Sequence, residues 1–206
     1  MTTDVTTDVT QGGAAARVVL VRHGETEWSR TRRHTGSTDV ALTEVGEQQA
    51  AALAPLLSTL QPTTVLTSPA SRARATCALA GFADRAVVDP RLREWGYGEA
   101  EGRTTEEIRR EVPGWSVWTH PTAGAEPLTE VAARTDAVIA DLLEQPGTAL
   151  VFAHAHLLRV LATRWCGRPP IDAQHLLLDP ASISILGHER EERAIERWNL
   201  VVDRPL

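Results

Sequence analysis

Two histidines and two arginines in this sequence stand at or just beyond the ends of apolar runs, where strongly polar side chains need an explanation. Arg22 and His23 directly follow the apolar residues 18–21, and His154 ends the run TALVFAH. Arg72 lies in the helix predicted after the run TTVLTS. Ligands of parallel α/β sheets bind beyond the carboxyl ends of the strands. We therefore expect these four side chains to meet at one edge of one sheet.

A cluster of this composition would suit a tetrahedral dianion such as a phosphoryl group. Arginine presents a planar fork of donors that matches phosphate oxygens, and a nearby helix N-terminus adds free N–H groups. A neutral imidazole between the arginines can attack phosphorus and form a phosphoramidate intermediate. Fixed cations then stabilise the charge on the equatorial oxygens of the transferring group.

A leaving alkoxide also needs a proton, which predicts a carboxylic acid at the mouth of the pocket. Glu94 is the candidate that we prefer, because it lies among aromatic residues and glycines in the stretch LREWGYGEAEG. Glu99 and Glu101 in the same stretch compete with it for this role.

The elements that must position these residues alternate between strands and helices. β-Branched and apolar runs predict strands at residues 17–21, 63–68, 86–88 and 148–154, and two closing strands at 182–186 and 194–200 that would form a hairpin. Helical spacing predicts helices at residues 43–60, 70–80, 104–111, 128–143 and 155–166, with Thr43 as an N-cap and Pro69 in a first helical turn. This alternation predicts an α/β fold, a three-layer α/β/α sandwich around a mostly parallel sheet.

The domain organisation predicted from these elements is simple. We expect one domain over residues 17–206. Residues 89–127 contain three of the six tryptophans together with several glycines and prolines, and we interpret them as an inserted lid or wall. Residues 1–16 are polar and lack a hydrophobic signal core, which predicts a disordered tail.

Four motifs, in the order RHGET, TSPASRARAT, LREWGYGEAEG and VFAHAHLLR, resemble the four signatures of the histidine phosphatase superfamily, which includes cofactor-dependent phosphoglycerate mutase. The resemblance covers most of the chain after the tail. It implies that His23 is the phosphorylated nucleophile and that Arg22, Arg72 and His154 hold the phosphoryl oxygens. It also implies that Glu94 donates the proton and later activates the attacking water.

The same resemblance implies phosphate-binding roles for three further residues and favours one branch of the family. Thr35 and Gly36 in HTGSTD match the family's loop over the phosphate, and Ser29 stands where many mutases carry asparagine. Ala155 replaces the usual glycine after the second histidine. The segment after Glu94 is short compared with that of the mutases, and REWGYGEAEG and FAHAHLLR most resemble sugar-bisphosphatases and broad-specificity acid phosphatases.

The function that we expect is therefore metal-independent hydrolysis of small phosphate esters, sugar phosphates or bisphosphates first, with no cofactor. A mutase of the same fold is one alternative. A catalytically silent phospho-ligand binding module is another, and the presence of nucleophile, acid and cations argues against it. His154 and His156 stand two residues apart without an accompanying Asp or Cys cluster, so a metal site is not expected.

The amino-acid composition limits the kinds of binding partner that we expect. The formal net charge is −6 and no Lys/Arg run stands out, which argues against nucleic-acid binding. No apolar run reaches transmembrane length, and the two cysteines suit a reducing compartment, so we expect a cytoplasmic protein that binds a small-molecule ester. The sequence does not decide whether the protein is a monomer or a homodimer.

Three further polar residues are expected to lie in or near the pocket or on the surface. His156 is expected to line the pocket or to pack under it, and Arg109 and Arg110 are expected to lie on a solvated helix face.

Overall fold

The computed structural model of the chain describes residues 16–202. The predicted disordered tail lies outside the described residues, apart from Ala16, which packs partly buried against the core. Within the described chain no helix is both long and apolar enough to cross a lipid bilayer.

One six-stranded sheet forms the centre of the molecule. Its strands are β1 (Arg17–Arg22), β2 (Thr64–Thr67), β3 (Val87–Val88), β4 (Thr148–Ala153), β5 (Ile183–Glu189) and β6 (Glu192–Leu200). They lie in the order β3-β2-β4-β1-β5-β6. The first four pair in parallel, whereas β5 is antiparallel to β1 and β6 to β5. The mostly parallel sheet and the closing hairpin are thus confirmed.

Helices cover both faces of this sheet. They are α1 (Glu27–Arg30), α2 (Glu44–Ala52), α3 (Ala54–Leu57), α4 (Ser71–Leu79), α5 (Thr105–Glu111), α6 (Leu128–Leu143) and α7 (Ala155–Trp165). Alternate residues of β1 enter different cores: Val18 and Leu20 pack with α6 and α7, whereas Val19 and Val21 pack with α3 and α4. This period of two, with both faces apolar, is what a strand between two helical layers requires, and it confirms the three-layer sandwich.

The helix predicted over residues 43–60 is wrong in its continuity. Thr43 caps α2 as predicted, because its hydroxyl accepts a hydrogen bond from the Gly46 amide at 3.0 Å. The helix then ends at Ala52, with Leu53 as its C-cap, and the chain becomes helical again as α3, with Pro55 in its first turn. Proline lacks the N–H that would continue the first helix, so the helical hydrogen-bond pattern is interrupted there.

The start of α4 also differs from its prediction. The helix begins at Ser71 with Ala70 as its N-cap, so Pro69 precedes the helix instead of lying in its first turn. Asp39 accepts hydrogen bonds from the backbone amide and the hydroxyl of Ser71, at 2.9 and 2.8 Å. The loop before α2 therefore supplies the acceptor for this helix terminus, which no local sequence signal indicated.

The tryptophan-rich residues 89–127 contain two short 3₁₀ turns, Pro90–Leu92 and Gly98–Ala100, and the single helix α5. Three of their aromatic side chains, Trp95, Tyr97 and Trp115, are buried in the same core cluster as α6 and α7.

The loop after β1 is held by a backbone contact that only glycines permit. A Cβ on Gly24 would lie 2.3 Å from the Gly46 carbonyl oxygen, and one on Gly46 would lie 2.0 Å from the Glu25 carbonyl oxygen. Helix α2 therefore packs directly on the chain that follows His23, and fixes the direction in which that loop leaves the sheet.

Candidate active site

The two histidines predicted to meet do so because β1 and β4 are parallel neighbours. Arg22 pairs in register with Ala153, so the next residue of each strand, His23 and His154, leaves the sheet at the same level. Their ring centroids are 5.2 Å apart. Both side chains are buried, with 5% and 0% of their surface exposed.

His23 is arranged as a nucleophile. Its Nδ1 lies 2.7 Å from the Gly24 carbonyl oxygen, which can only accept, so Nδ1 carries the hydrogen and Nε2 keeps its lone pair. Burial, reinforced by the charges of Arg22 and Arg72, holds the pKa of His23 well below its usual value. The imidazole is therefore neutral at neutral pH, which is the form that attacks phosphorus.

His154 lies beside it with both ring nitrogens engaged. Nδ1 accepts from Arg72 Nε at 3.2 Å, and Nε2 lies 2.7 Å from the Ser68 hydroxyl. Since Nδ1 is the acceptor, Nε2 carries the hydrogen and donates to Ser68. Burial and the neighbouring His23 keep the pKa of His154 well below its usual value. In this arrangement His154 orients Arg72 and Ser68, and its role as a phosphoryl ligand stays a prediction.

The two predicted arginines occupy different places. Arg22 lines a cavity that His23 and Glu94 also line. Its guanidinium donates to the Leu178 carbonyl oxygen, and its buried Nε has no partner among the described residues. Burial lowers its pKa to about 10, which leaves it protonated at neutral pH. Arg72 is 1% exposed, and its two Nη atoms donate to three carbonyl oxygens of the loop at residues 35–38. Of these two arginines, Arg22 therefore lines the cavity and Arg72 holds the loop, and the role of Arg72 as a phosphoryl ligand stays a prediction.

Three further residues were predicted to bind phosphate, and all of them form hydrogen bonds within the protein: Ser29, Thr35 and Gly36. The Ser29 hydroxyl completes a capping box on α1 and donates to the Thr26 carbonyl at 3.0 Å. The Thr35 hydroxyl donates to the carbonyl two residues before it, and the Gly36 amide donates to Glu101 at 2.9 Å. Ser29 and Thr35 nevertheless line the cavity, whereas Gly36 is buried. Their phosphate-binding roles remain predictions.

Glu94 is the predicted acid that the structure brings to the cavity. The residue is 6% exposed, and its carboxylate accepts three backbone N–H bonds, from Trp95 at 2.9 Å, from His156 at 3.1 Å and from Leu157 at 2.9 Å. The last two amides belong to the first turn of α7, so Glu94 also stabilises that helix terminus. Its Oε1 accepts two of these bonds and Oε2 only one.

The two competing carboxylates are placed elsewhere. Glu99 is exposed and does not line the cavity. Glu101 accepts hydrogen bonds from the amides of Gly36 and Thr38, at 2.9 and 3.0 Å, and thereby ties down the loop whose carbonyls bind Arg72. The geometry therefore favours Glu94 among the three candidates.

A buried ion pair that the sequence reasoning missed holds the segment before Glu94. Arg134 on α6 donates to both carboxylate oxygens of Glu126, at 2.8 and 3.1 Å. Its remaining hydrogen bonds go to the carbonyls of Arg91, Arg93 and Glu94. The signal was present in the sequence, because Arg134 interrupts the apolar stripe of an amphipathic helix.

The sequence assigns no role to Ser68 and leaves the roles of His156, Arg109 and Arg110 open. Ser68 stands at the end of β2 as the two histidines stand at the ends of their strands, so the same strand-end rule identifies it. His156 lines the cavity as expected and shares a 2.6 Å hydrogen bond with the Tyr97 hydroxyl. Arg109 and Arg110 are exposed, as predicted for a solvated helix face.

A cavity of about 380 Å³ opens over His23. Its lining includes the arginines Arg22, Arg32, Arg33 and Arg159 but only two carboxylates, Glu94 and Asp179. This balance favours an anionic ligand of metabolite size. Across residues 16–202, no three His, Cys, Asp or Glu side chains are grouped so that they could hold a metal ion.

The family model of the histidine phosphatase superfamily (branch 1) matches residues 18–201, and the chain therefore belongs to this superfamily. A solved structure of the open reading frame Rv3214 from Mycobacterium tuberculosis superposes with a TM-score of 0.86 at 38% identity, over 90% of this chain and 98% of that one. The predicted family and fold are thus confirmed.

The curated relatives of this chain are named for three different enzymatic activities. The chain is 39% identical to an acid phosphatase of Mycobacterium tuberculosis, over 87% of this chain and 90% of the relative. It is 35% identical to a sedoheptulose 1,7-bisphosphatase of Saccharomyces cerevisiae, over 73% and 68%. It is 31% identical to a probable phosphoglycerate mutase of an Enterobacter species, over 88% and 89%. These similarities support the prediction that the chain is a phosphatase.

The ion pair of Arg134 with Glu126 generates the first testable prediction. Arg134→Lys keeps a positive charge but cannot reach all four partners, so Glu94 should lose its fixed position. We expect kcat to fall more for alkyl phosphates, whose leaving group needs a proton, than for p-nitrophenyl phosphate. Steady-state kinetics on both ester types measures this.

The control is Arg164→Lys, which changes an ion pair with Asp136 that does not touch the segment before Glu94. Equal losses on both ester types for Arg134→Lys would show that the pair supports the fold without positioning the acid.

Proposed function

We propose that this phosphatase is a metal-independent phosphomonoesterase that hydrolyses small phosphorylated metabolites through a phosphohistidine on His23. The observation that carries the proposal is the hydrogen bond from His23 Nδ1 to the Gly24 carbonyl oxygen, which leaves the Nε2 lone pair for attack, in a cavity that Arg22 and Glu94 also line.

Two displacements at phosphorus would complete the reaction. In the first, His23 Nε2 attacks phosphorus, the bond from phosphorus to the ester oxygen breaks, and Glu94 gives its proton to that oxygen. In the second, water attacks the phosphohistidine, Glu94 takes the proton from water, and the bond between phosphorus and nitrogen breaks. Arg22 stabilises the negative charge on the phosphoryl oxygens in both steps. One carboxyl group serves both steps because each returns it to its other protonation state.

Sugar phosphates and bisphosphates are the substrates that we propose first. A cavity of about 380 Å³ would accommodate such metabolites, and its excess of arginines suits a multiply charged ester. The relative named as a sedoheptulose 1,7-bisphosphatase supports the same class.

Mutase chemistry is the second candidate, because one group of relatives is named as probable phosphoglycerate mutases. Both reactions begin with phosphohistidine, and they differ in whether water or a substrate hydroxyl receives the phosphoryl group. We expect water to be the acceptor. Incubation with 3-phosphoglycerate and a bisphosphoglycerate primer should yield little 2-phosphoglycerate, whereas a panel of metabolite esters should release phosphate. Isomerisation that outran phosphate release would reverse this ranking.

Phosphorylation of His23 can be trapped directly. Rapid quench with a ³²P-labelled substrate should place acid-labile, base-stable label on the protein, with or without EDTA, because Arg22 supplies positive charge at the phosphoryl group. His23→Ala should abolish both label and turnover. His175→Ala, at an exposed histidine outside the cavity, is the matched control and should retain both. Normal turnover by His23→Ala would end this mechanism, and loss of labelling in EDTA would end its metal independence.

The role of Glu94 can be tested through the leaving group. Glu94→Gln removes the proton donor, and it should lower the rate of phosphorylation by alkyl phosphates by roughly 10² to 10⁴, the usual contribution of a general acid. The loss should be much smaller for p-nitrophenyl phosphate, whose leaving group hardly needs the proton. Pre-steady-state rates on both esters give the comparison.

Glu99→Gln is the matched control, since Glu99 is a neighbouring but exposed carboxylate. If Glu94→Gln slowed both esters equally, another group would have to be the acid.

A further inference from the structure

The rim of the cavity contains an arginine in a backbone conformation that arginine rarely adopts. Arg32 follows the C-cap of α1 with φ at 57°, in the left-handed region. Its amide donates to the Ser29 carbonyl at 3.2 Å, and the next amide, from Arg33, donates to the Trp28 carbonyl at 2.8 Å. These two bonds form a Schellman motif, in which glycine is the usual residue at the position that Arg32 occupies. The chain accepts conformational strain here while presenting an arginine at the cavity.

The charge of Arg32 has no partner within the described residues, unlike that of its neighbours. Arg30 pairs with Glu27 at 2.6 Å. Arg33 donates to the Gly102 carbonyl and pairs with Glu107 at 3.1 Å. The Arg32 side chain is exposed, lines the cavity, and makes no hydrogen bond or ion pair with any residue in 16–202. A strained arginine that no internal contact uses is therefore available to a ligand.

Depth within the cavity indicates which part of a ligand Arg32 would meet. His23 and Arg22 define the reaction centre, and His23 is only 5% exposed. Arg32 lies on the exposed rim of the same cavity. An ester whose phosphoryl group lies against His23 would direct its other end outward, toward the rim.

We propose that Arg32 binds a second phosphate group, at the far end of the substrate, and so makes the enzyme favour bisphosphorylated over singly phosphorylated esters. The guanidinium offers paired donors that match phosphate oxygens. This subsite rests on the proposed phosphatase function, since it concerns the same cavity, and it assigns the preference to one residue.

Matched synthetic esters test the subsite. The probes are α,ω-alkanediol bisphosphates and n-alkyl monophosphates of equal chain length, assayed for phosphate release at low ionic strength, where an exposed charge is least screened. The measured quantity is the ratio of kcat/KM for bisphosphate to that for monophosphate. Arg32→Asn removes the charge while keeping a residue that tolerates the left-handed conformation. We expect this ratio to fall about 10- to 100-fold, the loss usual for a charge-assisted hydrogen bond. Arg32→Lys should retain much of it.

The control for charge and backbone is Arg190→Asn. Arg190 is also an exposed arginine with positive φ, at 55°, but it lies between β5 and β6 and does not line the cavity. Its substitution should leave the ratio unchanged.

The outcomes separate the subsite from the function on which it rests. No phosphate release from either ester by the wild-type enzyme would overturn the proposed function. Release from both esters, with a ratio that Arg32→Asn and Arg190→Asn leave equally intact, would overturn the subsite alone. Equal loss on both esters in Arg32→Asn would show that Arg32 attracts anions in general without recognising a second phosphate.

Discussion

The parallel register between β1 and β4 is the constraint on which the rest of the site depends. Because Arg22 pairs with Ala153, the two following residues emerge together and place their rings 5.2 Å apart. A slip of either strand by one residue would move each of its side chains into the other of the two buried cores, which are close-packed around different side chains. The position of the nucleophile is therefore fixed by the packing of the whole sheet, and the glycine contact with α2 fixes the loop beyond it.

Burial next decides the chemical state of the site. An imidazole removed from water favours its neutral form, and the nearby arginines favour it further, so both histidines stay uncharged at neutral pH. Buried polar groups must also be paired. His154 binds Arg72 and Ser68, and Arg72 binds the loop at residues 35–38. The same hydrogen bonds that satisfy these groups thus make the site rigid before a ligand arrives.

Hydrogen bonds and one buried ion pair attach the segment that contains Glu94 to the helices around the site. Glu94 accepts two amides from the first turn of α7, the helix that begins directly after His154. Arg134 and Glu126 hold the backbone on the other side of Glu94. Burying an ion pair costs desolvation free energy, so a buried pair is weak evidence for stability alone. We propose that this pair serves to fix the position of Glu94. The acid is therefore positioned by α7, the helix whose N-cap, His154, lies beside the nucleophile.

The sequence by itself determined the strands, most of the helices, the fold class, and the residues that end the strands, because these follow from periodicity and from a strand-end rule that needs no coordinates. It also favoured Glu94 among three carboxylates, and the structure places Glu94 in the cavity lining, whereas its role as the acid stays a prediction. Partners distant in the chain were decided only by the tertiary structure: Arg72 bonded to His154, Glu101 bonded to Gly36, and the break in the helix predicted over residues 43–60. A hydrogen bond needs a separation of about 3 Å and a direction, and residue type and spacing specify neither until the sheet and its two helical layers have packed.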